Sequence, residues 1–152
     1  MNLLVIAVGR LRRGPEADLL TAYAERLRWP LTVREVDDRR PLPVAERRAR
    51  DGRLLLDATP GDAHVVVLDG TGRPLSSEAL AEHLGRQRDS GTRTVAFLIG
   101  GADGHDPAVL ARAHLVLSLG PMTWPHMLVR PMLAEQVFRA QCILEGHPYH
   151  RA

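Results

Sequence analysis

Short runs of β-branched and aliphatic residues recur along the chain, separated by longer segments in which apolar positions return every three or four residues. The short runs predict strands at residues 3–8, 31–36, 64–68, 94–99 and 115–119. The longer segments predict helices at 16–28, 45–57 and 78–88, a short one at 107–112 and a last long one at 128–145. Pro15 suits the first turn of a helix, where its missing donor costs nothing, and Ser76 or Ser77 supplies a cap for the third. Strands alternating with helices predict an α/β fold: a mostly parallel sheet of five to six strands with helices on both faces. No repeat, low-complexity tract or linker interrupts the pattern, so residues 1–152 are read as one domain.

The last helix carries a stripe of Val129, Met132, Leu133, Val137, Ala140 and Leu144 at helical spacing, with Arg130, Glu135 and Arg139 off it. Leu128, Phe138 and Ile143 are apolar outside that stripe, which implies a second buried face and, most simply, a homodimer. Pro131 disfavours helix just before it, so the pattern places 125–130 in a structured loop and starts the helix at Pro131.

A chain of 152 residues buries about 70% of the surface it exposes when unfolded, and needs no disulfide or metal staple. Its single cysteine, Cys142, has no partner for an internal disulfide, as in a reducing compartment. The first apolar run is far shorter than the roughly 20 residues of a bilayer span, and nothing before it resembles a signal peptide. The expectation is a soluble, cytoplasmic protein without a membrane partner. Residues 1–53 hold twelve arginines against eight acids, and the remainder eight against ten. There is no lysine, a bias that coding composition explains as readily as phosphate recognition does, and a net charge of +2 is compatible with RNA without arguing for it. Five of the seven histidines lie from His105 onward, which points to the C-terminal third for chemistry.

In a parallel sheet, ligands bind beyond the carboxyl ends of the strands. Three turns there are unusual: Leu68-Asp69-Gly70-Thr71-Gly72-Arg73, Ile99-Gly100-Gly101-Ala102-Asp103-Gly104, and Leu119-Gly120-Pro121-Met122-Thr123-Trp124-Pro125-His126. Glycine admits close backbone approach, so three such turns on one rim make a pocket lined by main-chain groups. The phosphate-loop and dinucleotide glycine signatures and the nucleophile elbow are absent. His147 and His150 alone do not make a metal site, and none is expected. The chain finishes with His147-Pro148-Tyr149-His150-Arg151, which offers a stacking ring, imidazoles and a guanidinium to a nucleobase or phosphate.

These residues together resemble a known family. Leu68-Asp69-x-x-Gly72, Leu98-Ile99-Gly100-Gly101-x-x-Gly104, Met122-Thr123-Trp124-Pro125-His126-x-x-x-Arg130, Ala134-Glu135-Gln136-x-Phe138-Arg139-Ala140 and the terminal His147-Pro148-Tyr149-His150-Arg151 are similar to the RlmH family. The family comprises small SPOUT-class methyltransferases that modify N3 of pseudouridine 1915 in helix 69 of the large-subunit ribosomal RNA of the bacterial ribosome. The likeness covers nearly the whole chain and is most specific in the Thr123-to-Arg130 run and the terminal Pro-Tyr-His. Trp124 and Pro131 depart from the family's usual residues.

The resemblance implies a C-terminal trefoil knot, a homodimer and S-adenosylmethionine as cofactor. It places the cofactor at Leu68, Asp69, Gly100, Gly101 and the run Pro121, Met122, Thr123, Trp124, Pro125 and His126. It also leads to the expectation that Tyr149 or His150 orients or deprotonates the base, with Arg130 catalytic or RNA-binding beside His147, Tyr149, His150 and Arg151. Two other readings remain: a non-enzymatic ribosome- or RNA-binding module, and a SPOUT methyltransferase with another RNA target.

Overall fold

A computed structural model describes residues 1–151. Its strands are β1 (Asn2–Val8), β2 (Leu31–Val36), β3 (His64–Pro74), β4 (Thr94–Ile99) and β5 (Leu115–Ser118), and its helices are α1 (Pro15–Ala24), α2 (Val44–Ala58), α3 (Ser77–Asp89), α4 (Pro107–Arg112) and α5 (His126–Leu144). Among the described residues there is one five-stranded sheet, ordered β2-β1-β4-β3-β5. Every adjacent pair in it is parallel.

The two-residue period of a strand sorts its side chains between two cores. Leu3, Val5 and Ala7 face one way with Phe97 and Val66, and meet Leu80 and Leu84 of α3 and Leu133 and Val137 of α5. Leu4, Ile6 and Val8 face the other way with Leu98 and Val67, and meet Leu55 of α2 and Val109 of α4. Helices therefore cover both faces. The short apolar runs read as strands because they are buried on both sides, except at the edge strand β2, whose residues stay largely exposed.

Several element ends differ from the sequence reading. Helix α1 stops at Ala24, not near Arg28, because Gln141 of α5 accepts the backbone N–H of Arg28 at 2.8 Å and turns the chain toward β2. Helix α3 starts where expected, with the Ser76 hydroxyl accepting from the Ala79 N–H at 3.1 Å. Helix α5 begins at His126 and runs unbroken through Pro131, which the sequence had placed at its start. The ring forfeits one backbone bond, but Arg130, Leu133, Ala134 and Val137 around it are all buried, and that packing outweighs the loss.

Strand β3 is longer than expected because it leaves the sheet and returns. Leu68 and Arg73 both pair with Leu117, so residues 69–72 bulge outward between them. Gly72 closes the bulge, where a Cβ would lie 2.6 Å from the Val116 carbonyl oxygen. No larger residue fits there.

The second apolar face of α5 is covered partly within the subunit. Phe138 packs against Tyr23 of α1 and Tyr149 of the tail, with ring centroids 6.1 and 4.8 Å away. That face alone therefore no longer demands a second subunit. Among the described residues, no helix is long and apolar enough to cross a membrane.

Candidate functional site

The carboxyl ends of β3, β4 and β5 carry the three glycine-bearing turns, and the parallel sheet brings them to one rim. They enclose a cleft of about 320 Å³. Leu68 and Asp69 line it from β3, Gly100 and Gly101 from β4, and Pro121, Met122, Thr123 and Trp124 from the β5–α5 connection. His126 reaches the wall from the first turn of α5. Pro125 is the N-terminal cap residue of α5 and is not part of the wall. Nine of the residues assigned to the donor thus line the wall, and His105 and Val129 are wall residues that the sequence reading did not include.

The wall is held from behind. A Cβ on Gly101 would sit 3.3 Å from Val8 and 3.5 Å from the buried Asp51 carboxylate, so that turn rests directly on β1 and α2. Burial raises the Asp51 pKa, with Arg47 opposing the shift. Asp69 accepts the backbone N–H and hydroxyl of Thr71 at 2.9 and 2.6 Å, which folds the bulge of β3 back on itself. The Trp124 indole N–H points to the Leu119 carbonyl at 3.4 Å while the ring stays half exposed at the cleft mouth.

His105 ties two of the turns together. Its Nε2–H donates to the Leu68 carbonyl at 2.9 Å, and its ring lies 3.0 Å from where a Gly100 Cβ would be. Leu68 is where β3 breaks away from the sheet, so the imidazole pairs a carbonyl next to the interruption. Burial holds His105 below its ordinary pKa, against the pull of that hydrogen bond and of Asp69. Its ring is therefore neutral near pH 7. Nothing in the sequence distinguishes His105 from the other late histidines; its signal is its place two residues before the N1 proline of α4.

Arg130 stands elsewhere than expected. Its side chain has no solvent exposure, and its guanidinium donates to Glu35 at 2.6 Å, to the Val8 carbonyl at 3.0 Å and to the Gly9 carbonyl at 2.8 Å. In this subunit it is buried and is not among the residues that line the cleft, in contrast to the direct contact the resemblance led to expect. It joins α5 to the ends of β1 and β2.

The tail packs on the helices. Tyr149 donates its hydroxyl to Glu135 of α5 at 2.9 Å, and burial pushes its pKa upward. His150 donates Nε2–H to Glu78 at 2.7 Å and accepts from Arg139 at 3.2 Å through Nδ1. His147 accepts the Tyr149 backbone N–H at 3.2 Å, and Arg151 is exposed. These contacts seat the tail on α1, α3 and α5, beside a second hollow of about 550 Å³ that Tyr23 and Glu135 line. Leu117, Leu119 and Gly120 separate this hollow from the first cleft. In one subunit, then, cleft and tail lie on opposite sides of the β5–α5 connection. Among the described residues, no group of three or more histidine, cysteine or acidic side chains is arranged to hold a metal.

A family model described as "Predicted SPOUT methyltransferase" matches residues 1–150. The chain is 57% identical over 152 residues to the ribosomal RNA large subunit methyltransferase H of Rhodospirillum rubrum, covering all of both chains. It is 54% identical to the proteins of that name from Paramagnetospirillum magneticum, over 99% of each chain, and Rhodospirillum centenum, over all of each. A non-enzymatic binding module does not fit these matches. With its five parallel strands and a family match across nearly its full length, this chain belongs to the SPOUT methyltransferase family and is an enzyme.

Proposed function

We propose that this enzyme transfers a methyl group from S-adenosylmethionine to N3 of a pseudouridine in helix 69 of large-subunit ribosomal RNA, as a cytoplasmic homodimer acting on the assembled ribosome. The shared name of the relatives supports the ribosomal RNA substrate. The observation that carries the donor site is the convergence of three glycine-bearing turns on one cleft.

The residues present fit such a donor. A cleft of about 320 Å³ is the size of a small-ligand site. Leu68, Ile99 and Leu117 offer an apolar wall to a nucleoside base, and main-chain groups at Gly100, Gly101 and residues 119–122 offer hydrogen bonds. Asp69 supplies negative charge for a sulfonium, and the neutral His105 does not oppose it. When bound, S-adenosylmethionine supplies an electrophilic methyl carbon.

The chain's own residues have two tasks. The cleft fixes the donor and keeps water from it, and positioning of this kind contributes about 7–11 kcal/mol when reacting atoms are held near attack. The target N3 carries a proton and has no free lone pair until that proton leaves. A positioned base contributes about 10²- to 10⁴-fold. His150 is assigned that role, accepting the N3 proton at Nδ1 once Arg139 releases it. The raised pKa of Tyr149 makes it a stacking and orienting residue instead, and His147 and Arg151 lie beside it to meet the RNA.

Since the tail sits across the β5–α5 connection from its own cleft, it is assigned to the cleft of the partner in the dimer. The second hollow supports that arrangement: Leu19, 44% exposed, lines it together with Leu75 and Met132 and gives it an apolar wall. The trefoil knot belongs to the same proposal. After the edge strand β5 the chain returns across the ends of β3 and β4 to anchor Arg130 on β1, the path a threaded α5 needs.

The test is labelled S-adenosylmethionine with ribosomes from a strain lacking the enzyme, followed by mass spectrometry of the ribosomal RNA. One added methyl on N3 of that pseudouridine is expected. A methyl found only on transfer RNA would replace the substrate, and a protein that calorimetry shows indifferent to the donor would end the reading.

A further inference from the structure

Two groups within the arginine surplus of the N-terminal third differ in their surroundings. In the β2–α2 connection and along α2, Arg39, Arg40 and Arg50 are engaged by Asp37 and Asp38, and Arg47 by Asp51. In the β1–α1 loop, Arg10, Arg12 and Arg13 are exposed, and none joins an ion pair among the described residues. Three unpaired guanidinium groups within four residues repel one another and remain only where solvent or a polyanion neutralises them.

The loop that carries them is fixed rather than loose. Arg130 holds the carbonyls of Val8 and Gly9, and Glu35 joins Arg130 to the Leu11 backbone N–H, which it accepts at 2.5 Å. A fully buried guanidinium is costly to desolvate, and here each of its partners belongs to the start of this loop or to the strand beside it. The loop also lies behind two of the segments that form the cleft wall. A Cβ on Gly9 would lie 3.2 Å from Met127 in the first turn of α5, and Val8 abuts Gly101.

We infer that the β1–α1 loop is a phosphate-binding surface for the RNA substrate, with Arg10, Arg12 and Arg13 as its cations and the pair of buried Arg130 with Glu35 as its brace. This rests on the reading of the enzyme as an RNA methyltransferase. Guanidinium groups match phosphate oxygens in a bidentate fork, and the surface is open, which suits a backbone of successive phosphates better than one small anion. Bracing the main chain holds the cations in place before RNA arrives, so less ordering is left for the binding step. Arg130 contributes to RNA binding through the loop it positions, not by contact.

The experiment measures methyl transfer to ribosomes from a strain lacking the enzyme, over a range of salt concentrations, for the wild type and the triple variant Arg10→Gln/Arg12→Gln/Arg13→Gln. The KM for ribosomes is expected to rise about tenfold or more, and the slope of log KM against log salt to fall by about two to three, as for three lost phosphate contacts. The kcat at saturating ribosomes, the affinity for S-adenosylmethionine and the melting temperature should match the wild type. Arg12→Glu should weaken ribosome binding more than Arg12→Gln. Arg93, exposed at the amino end of β4, is the control: Arg93→Gln should leave both KM and slope alone. Unchanged KM and slope in the triple variant overturn the inference, and so does an equal effect from Arg93→Gln, which would mean net charge alone. A wild type that binds the donor but methylates no ribosome overturns the RNA reading itself, and this inference with it.

Discussion

The cleft and the tail are built by opposite means. The cleft is made of main chain: three turns at the ends of neighbouring strands, with Gly100 and Gly101 pressed against His105, Val8 and Asp51. The tail is held by side chains, Tyr149 to Glu135 and His150 between Glu78 and Arg139, on the other side of the β5–α5 connection. A main-chain pocket tolerates changes in most side chains and fails when its backbone is crowded. A tail held by side-chain hydrogen bonds is released when they are removed. Binding the donor and delivering the nucleobase are therefore separable in this molecule.

The largest effect is expected from crowding the cleft. Gly101→Val places methyl groups beyond a Cβ that already lies 3.3 Å from Val8 and 3.5 Å from Asp51, so the turn must move. Affinity for S-adenosylmethionine by calorimetry should fall at least about 100-fold, close to 3 kcal/mol, and methyl transfer with it. Removing the chain from Tyr149 onward should instead cut methyl transfer by about 10²- to 10⁴-fold, the worth of a positioned base, with donor affinity within about twofold of the full chain. Equal losses of binding in both variants would abolish the separation.

That separation was only half legible in the sequence. The strand ends were readable because β-branched runs mark them, and a parallel sheet must bring their carboxyl ends to one rim. The tail's chemistry was visible in Tyr149 and His150, but not its seat, which depends on Glu78, Glu135 and Arg139 meeting across helices. The five late histidines misled by proximity in sequence. His105 and His126 line the cleft and His150 sits on the tail, whereas His114 stacks on His64 at the amino ends of the strands, 4.7 Å between ring centroids. Arg130 was unreadable for the same reason: Glu35, Gly9 and Val8 are 95, 121 and 122 residues away in the chain. Pro131 shows a local rule overruled by buried neighbours.

Arg130 lies at the border between the two regions, and its loss sharpens the comparison through stability. Arg130→Met keeps much of the volume but leaves the carbonyls of Val8 and Gly9 without the guanidinium and Glu35 with only the Leu11 N–H. Because Glu35 is open to solvent, the loss comes mainly from the two carbonyls left unpaired and is expected at about 1–3 kcal/mol, to be read as a lower urea midpoint with an unchanged slope. A loss below about 1 kcal/mol would mean that the guanidinium does not brace the ends of β1 and β2.

The smallest expected effect is one of pH, and it falls on the cleft. His105 has its folded pKa held below the usual 6.5 by burial. Above pH 6.5 the imidazole is neutral in both folded and unfolded chains and no pH term arises. Below it the unfolded chain takes up a proton that the fold resists, so stability declines as pH falls from 6.5 toward the lowered folded value. Donor affinity follows the same sign, since a proton on His105 sets a cation in the cleft that a sulfonium must share, with Asp69 the opposing charge. Between pH 7.5 and 5.5 the dissociation constant for S-adenosylmethionine should therefore rise, the change growing as pH approaches the lowered value of His105. His105→Gln keeps an N–H for the Leu68 carbonyl and removes the titrating ring, so its affinity should stay flat over that range. A variant as acid-sensitive as the wild type would move the effect from His105 to another group of the cleft, whose wall also holds His126.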